Sequence, residues 1–146
     1  MTFKPVLLSD EIRIGADLTQ WLELGGGLGL KNALKAPENI IATLEQADLR
    51  GMGGAGFPTH RKGQAVANQE NGSKYVLCNG NEDEPGTFKD RYLLKETPHQ
   101  IIEGALIAAI AVKANHVFLY INPHQTEAVE IMSEAVDQWK NHTLFK

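Results

Sequence analysis

Residues 75–121 read YVLCNGNEDEPGTFKDRYLLKETPHQIIEGALIAAIAVKANHVFLYI, and this stretch holds two short apolar runs around a long helical segment. The first run, residues 75–78, suits a buried strand, and the second covers residues 116–121. Between them, Pro98 opens a helix that we expect to reach residue 114. This order predicts parallel strands joined by a right-handed crossover. The expected fold class is α/β, a Rossmann-like parallel sheet flanked by helices.

The rest of the chain shows weaker patterns. Residues 1–20 predict an arm or a short strand, and the glycines at 25–27 and 29 predict a flexible or tightly turned passage. Helices are expected over residues 31–49, 64–71 and 123–139, with a helical turn over residues 90–95. We divide the chain into an arm with a Gly-rich passage, residues 1–30, and an α/β domain, residues 31–146. Its sheet has too few strands and is expected to be incomplete within this chain.

Composition narrows the function classes. The chain has 146 residues and a formal net charge of −4, which argues against nucleic-acid binding. A single cysteine, Cys78, cannot form an intrachain disulfide or hold an iron–sulfur cluster. We see no secretory signal, and the apolar stretch at residues 101–112 is too short to span a bilayer. A cytoplasmic protein without direct membrane insertion is expected.

The segment at residues 50–62, RGMGGAGFPTHRK, is suited to binding a phosphate. Its glycines permit close backbone approach, and exposed N–H groups in such a loop bind anionic oxygens. The candidate residues are Gly51, Gly53, Gly54 and Gly56, with Lys62 as an added positive charge. The segment lacks the Gly-Lys-Ser/Thr ending of a P-loop, so an ATPase is a poor match. An ordinary tight turn is the alternative.

A second polar segment, NGNEDEPGTFKDR at residues 79–91, follows the first predicted strand. Ligands of parallel sheets bind at the carboxyl ends of the strands, where this segment begins. The polar candidates are Asn79, Asn81, Glu82, Asp83 and Glu84. A solvated acidic loop is the plain alternative. A Mg²⁺ or Ca²⁺ site is another, although the spacing is not that of an EF-hand and we assign no metal ligand.

Together, the two segments resemble the NADH-oxidising flavoprotein subunit of respiratory complex I. The same family includes the diaphorase subunits of NAD-linked hydrogenases and formate dehydrogenases. Its members read approximately RGRGGAGFPTGxKW and, after a strand, NADEGEPGTFKDR. The resemblance runs from about residue 25 to residue 121 and covers only the amino-terminal part of a family member.

This resemblance implies an FMN-dependent NADH dehydrogenase, or diaphorase, subunit that uses FMN and NAD. The implied FMN contacts are Gly51, Gly53, Lys62, Asn79, Asn81 and Glu82. Phe57 and Glu84 fall at positions that contact the nicotinamide dinucleotide, with Glu84 as the catalytic candidate. NADH would pass a hydride to the flavin, and electrons would continue to iron–sulfur clusters in partner subunits or in a missing downstream region. Those partners would place the protein in the cytoplasm or at the cytoplasmic face of a membrane.

The chain departs from the family pattern at several positions. Gly63 and Ala65 stand where members have aromatic residues, which would remove part of an apolar wall for the dinucleotide. Asn81 replaces an aspartate, and Asp83 replaces a small residue. One alternative is therefore a non-catalytic relative that serves as an assembly or interaction subunit. An unrelated nucleotide- or phosphate-binding module is the other.

Overall fold

A computed structural model describes residues 8–143. Within this range, the chain forms two strands and seven α-helices, and short 3-10 helices lie at Asp10–Ile12 and Pro37–Asn39. The helices are α1 (Leu18–Glu23), α2 (Leu28–Lys35), α3 (Ile40–Gln46), α4 (Thr59–Ala67), α5 (Lys89–Glu96), α6 (Pro98–Val112) and α7 (Thr126–Asn141). The strands are β1 (Tyr75–Gly80) and β2 (His116–Ile121).

The two strands pair in parallel and form a sheet flanked by helices, as the sequence predicted. The arrangement is an incomplete Rossmann-like α/β fold. Strand β1 extends two residues beyond the predicted stretch, so Asn79 belongs to the strand. Helix α6 ends at Val112, because Lys113 takes a left-handed conformation with φ 58° and the Ala114 amide donates to the Ala109 carbonyl.

The prediction of a buried first strand was wrong. Side chains on both strands alternate between exposed and half-buried positions, and Tyr75 and Leu77 are 55% and 63% exposed. On the same face, the Tyr75 ring stacks on His116 and lies beside Phe118, with ring centroids 5.6 and 6.0 Å apart. A parallel strand reads as buried when both faces are covered, and here one face of the pair is open among the described residues.

The chain divides into two compact units. One contains the described residues up to Gly27, Asn79–Glu103 and the described residues from Leu119 onward. The other contains Leu28–Cys78 and Gly104–Phe118.

Helix α7 provides much of the buried surface of the first unit. Ala128, Met132, Ala135 and Trp139 are buried on one stripe, as the helical spacing predicted. The helix begins at Thr126 rather than at Pro123 as predicted, because Asn122 holds a turn there. Its side-chain oxygen accepts from the His124 amide, and its carbonyl accepts from the Gln125 amide.

In the amino-terminal region, the structure forms no strand within residues 8–20; the remainder of that prediction lies outside the described residues. Instead, Asp17 caps α1 by accepting a hydrogen bond from the Gln20 amide. The tight turn predicted for the glycines is confirmed over residues 24–27, whereas Gly29 lies inside α2.

Three other helix predictions need revision. The structure has two helices where one was expected over residues 31–49. Pro37 interrupts the helical hydrogen-bond pattern and starts a 3-10 turn between them. The helix expected at residues 64–71 begins earlier, at Thr59, and takes in the end of the glycine segment. The helical turn expected at residues 90–95 is the complete helix α5.

No helix within residues 8–143 combines the length and apolar character that crossing a membrane requires.

Substitution of Gly26 should be costly. A Cβ atom at this position would lie 2.2 Å from Nε1 of Trp21, whose buried indole donates to Glu103 at 3.1 Å. Gly26→Ala must displace the indole and should lower the free energy of unfolding by about 1–3 kcal/mol. Gly104→Ala is the matched control: it lies in α6 with open space around it, and should raise stability by about 1 kcal/mol. Urea unfolding measures both, and equal effects would contradict the prediction.

His99 should make stability depend on pH. It is the second residue of α6, yet it is only 1% exposed, and its Nδ1 accepts a hydrogen bond from Nε1 of Trp139 at 3.0 Å. Burial lowers the pKa of His99; the interaction with the Ala16 backbone and the nearby Asp17 and Glu134 carboxylates only partly oppose this effect. Protonation would place a hydrogen on the acceptor nitrogen and break the bond to Trp139.

Because the folded pKa lies below the unfolded value, the unfolded chain binds more protons, and stability falls as pH drops below about 6.5. In His99→Gln the free energy of unfolding should change less steeply between pH 7.5 and 5.5. His124→Gln, at an exposed position, is the control and should keep the wild-type slope. An unchanged slope in His99→Gln would show that the pH dependence arises elsewhere.

Candidate functional site

The glycine segment forms a closed loop ahead of α4. The Gly51 amide donates to the Phe57 carbonyl at 2.9 Å, and the Thr59 amide donates to the Leu49 carbonyl at 2.9 Å. These bonds close the loop at its base, where Arg50 and Pro58 form an isolated antiparallel bridge. The tip, residues 52–55, is a solvent-exposed turn.

Two glycines of this loop differ in what the fold requires of them. Gly54 has φ 94°, a left-handed conformation that side chains rarely adopt. Gly53 lies outside that region, and an added Cβ would meet no described heavy atom within 4 Å. The chain's own packing therefore gives no steric reason for glycine at position 53. A glycine at this position does leave room for an external group to approach the backbone closely.

Lys62 lies in the first turn of α4 with His60 and Arg61, and this turn contains no acidic residue. The Lys62 side chain is exposed. His60 is partly buried, and its Nε2 lies 3.7 Å from the Glu45 carboxylate. A helix start carries a partial positive charge, so the local field at this end of α4 favours an anion.

The acidic segment begins as a turn at the end of β1. The Asn79 side-chain oxygen accepts from the Asn81 amide at 3.1 Å, and the Asn81 side chain donates to Asp83. Beyond Glu84, Pro85 and Gly86 reverse the chain, and the Thr87 amide donates to the Glu84 carbonyl at 3.3 Å. The carboxylate-bearing residues Asp83 and Glu84 are exposed.

Glu82 differs from these acidic neighbours because its side chain is completely buried, at 0% exposure. Oε1 accepts from the Asp90 amide at 2.6 Å, and Oε2 accepts from Nε of Arg91 at 2.7 Å and its amide at 3.3 Å. Burial alone would raise the pKa of Glu82, but these hydrogen bonds outweigh it and hold the pKa below its usual value. Glu82 is therefore an anion at neutral pH.

Two contacts to the acidic segment were not foreseen from the sequence. Nε2 of Gln125 donates to the Asn81 carbonyl at 3.4 Å from 44 positions along the chain. No local pattern signals this contact, because Gln125 simply follows a turn. The other is the Lys89 ammonium, which donates to Asp90 at 2.7 Å, and this bond raises the pKa of Lys89.

The structure gathers the predicted site residues into two groups. Gly51, Gly53, Gly54, Gly56, Phe57 and Lys62 lie in and just after the glycine loop. Asn79, Asn81, Glu82 and Glu84 lie in the acidic loop. The loops belong to different compact units, and the ligand contacts of the individual residues stay predictions. Among residues 8–143, no group of three or more His, Cys, Asp and Glu side chains could hold a metal ion.

Comparison with known families identifies the chain. Residues 44–145 match the model of the Nuo51 FMN-binding domain, and the matched range contains both loops. The chain belongs to the Nuo51 FMN-binding domain family. The resemblance inferred from the two motifs is confirmed.

Several curated relatives are subunits of NADH-quinone oxidoreductases. One such subunit, of Rhizobium meliloti, is 39% identical over 137 residues, which cover 92% of this chain and 32% of the relative. Another, of Aquifex aeolicus, is 40% identical over 84% of this chain and 29% of its own length. The chain thus spans about a third of the length of these relatives.

A solved structure agrees with these sequences. The crystal structure of an NAD⁺-reducing [NiFe]-hydrogenase in the H₂-reduced state matches with a TM-score of 0.69 and 30% sequence identity. The match covers 83% of this chain and 22% of the hydrogenase chain. The similarity extends over most of the present fold and over a small part of the larger hydrogenase chain.

Proposed function

We propose that this chain is the amino-terminal part of an FMN-binding module in an NADH dehydrogenase (diaphorase) subunit. The observation that carries the proposal is the family match, which spans residues 44–145 and contains both loops with their motifs. The geometry supports it, since the glycine loop is exposed and leaves open space at Gly53. We place the arm and Gly-rich passage at residues 1–30 and the FMN-binding domain at residues 31–146.

The glycine loop would hold the flavin phosphate. Backbone amides around Gly51, Gly53, Gly54 and Gly56 are suited to phosphate oxygens, and the exposed Lys62 ammonium adds a charge at the start of α4. The aromatic ring of Phe57, 52% exposed, is available to the dinucleotide. Its edge and faces would provide apolar contact rather than charge.

The acidic loop would orient the reacting groups. Asn79 and Asn81 would hydrogen-bond polar atoms of the isoalloxazine ring, and Glu84, which is exposed, would contact the dinucleotide. When bound, FMN would supply the chemistry that connects hydride transfer from NADH with single-electron transfer. The protein's own contribution is to bind, align and exclude water around the reacting atoms.

The partners follow from the same assignment. The relatives are subunits of larger redox proteins by their names, and electrons would pass to iron–sulfur clusters in partner subunits or a further part of the polypeptide. NADH would be the reductant. A cytoplasmic location, at the membrane face through partner subunits, fits the use of NADH.

A non-catalytic relative is the second candidate, and one observation favours it. Gly63 and Ala65 replace the aromatic residues of the family pattern, and a Cβ at Gly63 would only reach ordinary contact distance of Ile41, so packing does not demand glycine there. Reduction of ferricyanide by NADH, measured on the native protein with its partner subunits, distinguishes the two. Bound flavin without NADH-dependent reduction would favour the assembly role.

Two glycine substitutions should separate ligand approach from backbone strain. Gly53→Ala meets no described neighbour, so we expect little change in the unfolding free energy but weaker FMN binding, because the methyl group occupies the space of the ligand. Gly54→Ala forces a side chain into φ 94° and should cost about 1 kcal/mol or more of stability. Thermal unfolding and a flavin fluorescence titration measure the two effects. Normal FMN affinity in Gly53→Ala would contradict the proposed role of the loop.

Lys62 and Glu84 should give different phenotypes. Lys62→Ala removes a charge-assisted contact and should weaken FMN binding by roughly one to two decades, or about 1.5–3 kcal/mol. Glu84→Gln should raise the Michaelis constant for NADH while flavin content stays near normal. Flavin absorbance and steady-state kinetics on the native protein measure both. Equal flavin loss in the two variants would mean that the roles are misassigned, and no change in either would favour the non-catalytic relative.

A further inference from the structure

The fully buried Glu82 side chain accepts hydrogen bonds from its own loop and from α5. Besides the Asp90 and Arg91 donors, Oε1 receives the Thr87 hydroxyl at 3.5 Å. A carboxylate has about four acceptor positions, and these protein donors occupy both oxygens. A buried carboxylate in this state has little capacity left for an external ligand.

Arg91, at the start of α5, also holds the acidic loop. Its Nε donates to Glu82 Oε2 at 2.7 Å, and its Nη2 lies 3.4 Å from the Thr87 carbonyl, which it contacts as a donor. The same residue contributes its backbone amide to Glu82 in the first turn of α5. A single arginine thus ties both ends of the segment from Glu82 to Thr87 to the start of one helix.

The backbone at Glu82 depends on this contact. Glu82 has φ 53°, a left-handed conformation that is uncommon for residues other than glycine. Such a conformation persists when surrounding contacts determine it, and here the contacts are those of its own carboxylate. The turn it produces sets the directions of Asn81 on one side and Glu84 on the other.

We infer that Glu82 and Arg91 are positioning residues that hold the acidic loop in the shape that the flavin and dinucleotide require, and that the Glu82 carboxylate does so without touching the flavin. This inference rests on the proposed function. It replaces the direct FMN contact expected for Glu82 with a contact inside the loop, and it gives a role to Arg91, for which the sequence predicted none. Asn79, Asn81 and Glu84 remain the ligand contacts of this loop.

The test begins with hydrogen exchange on the native protein without added flavin. In Glu82→Gln and Arg91→Gln, the Asp90 and Arg91 amides should exchange roughly 10- to 100-fold faster, because their carboxylate acceptor is weakened or displaced. Arg91→Lys keeps the charge but not the planar fork, and should fall between wild type and Arg91→Gln. Lys95→Gln is the matched control. Lys95 lies on α5, like Arg91, and the substitution removes its ion pair to Glu127 of α7, so the exchange of both amides should stay unchanged.

A double-mutant cycle then separates positioning from direct contact. If both residues act through the loop, the double variant should bind FMN no more weakly than the single variant that has the lower FMN affinity. Effects on FMN affinity that add, with amide exchange unchanged in Glu82→Gln, would overturn the inference and make Glu82 a flavin ligand. A wild-type protein with no FMN affinity would instead refute the proposed function, while the exchange rates would still decide whether the loop is held.

Discussion

Neighbouring parallel strands cannot be joined by a tight hairpin, and this constraint organises residues 75–121. The chain leaves β1, passes through the acidic loop, and needs both α5 and α6 before β2 can begin. The loop therefore lies at the carboxyl end of a strand, where parallel sheets bind ligands. Parallel sheets are usually covered on both faces, and the described chain leaves one face of this strand pair, with its aromatic side chains, open.

Two buried carboxylates, Glu103 and Glu82, are stabilised by the same physical means. Glu103 accepts from the Trp21 indole and from the Gly27 amide at 2.7 Å, and Glu82 accepts from backbone amides and a guanidinium. A buried charge is tolerated only when donors replace its lost hydration. Each carboxylate thereby fixes a backbone turn: Glu103 the glycine passage before α2, and Glu82 the loop before α5. In both cases, the hydrogen bonds of a buried carboxylate determine the shape of a loop.

The glycines differ in whether contacts within the chain explain why they are glycines. Gly26 is required by the packing of Trp21, and Gly54 by its backbone conformation, whereas Gly53 has no internal reason to lack a side chain. A residue whose identity the fold does not explain is a candidate for ligand contact. Glu82 illustrates the converse, since its contacts within the chain fully account for its identity. On these grounds we propose Gly53 for ligand contact and the Glu82 carboxylate for shaping the loop of the FMN-binding module.

The sequence by itself determined the family, the parallel β-α-β order and the buried stripe of α7, because motifs, strand patterns and helical periodicity are local properties. Helix boundaries were less predictable where Pro37 and Asn122 impose turns. Only the tertiary structure decided that His99 is buried against Trp139, that Gln125 reaches the acidic loop and that Glu82 is bound by the start of α5. Such contacts depend on how separate segments pack, which local sequence patterns do not show. The acidic run at residues 82–84 predicts a solvated loop, yet the Glu82 carboxylate within it is fully buried.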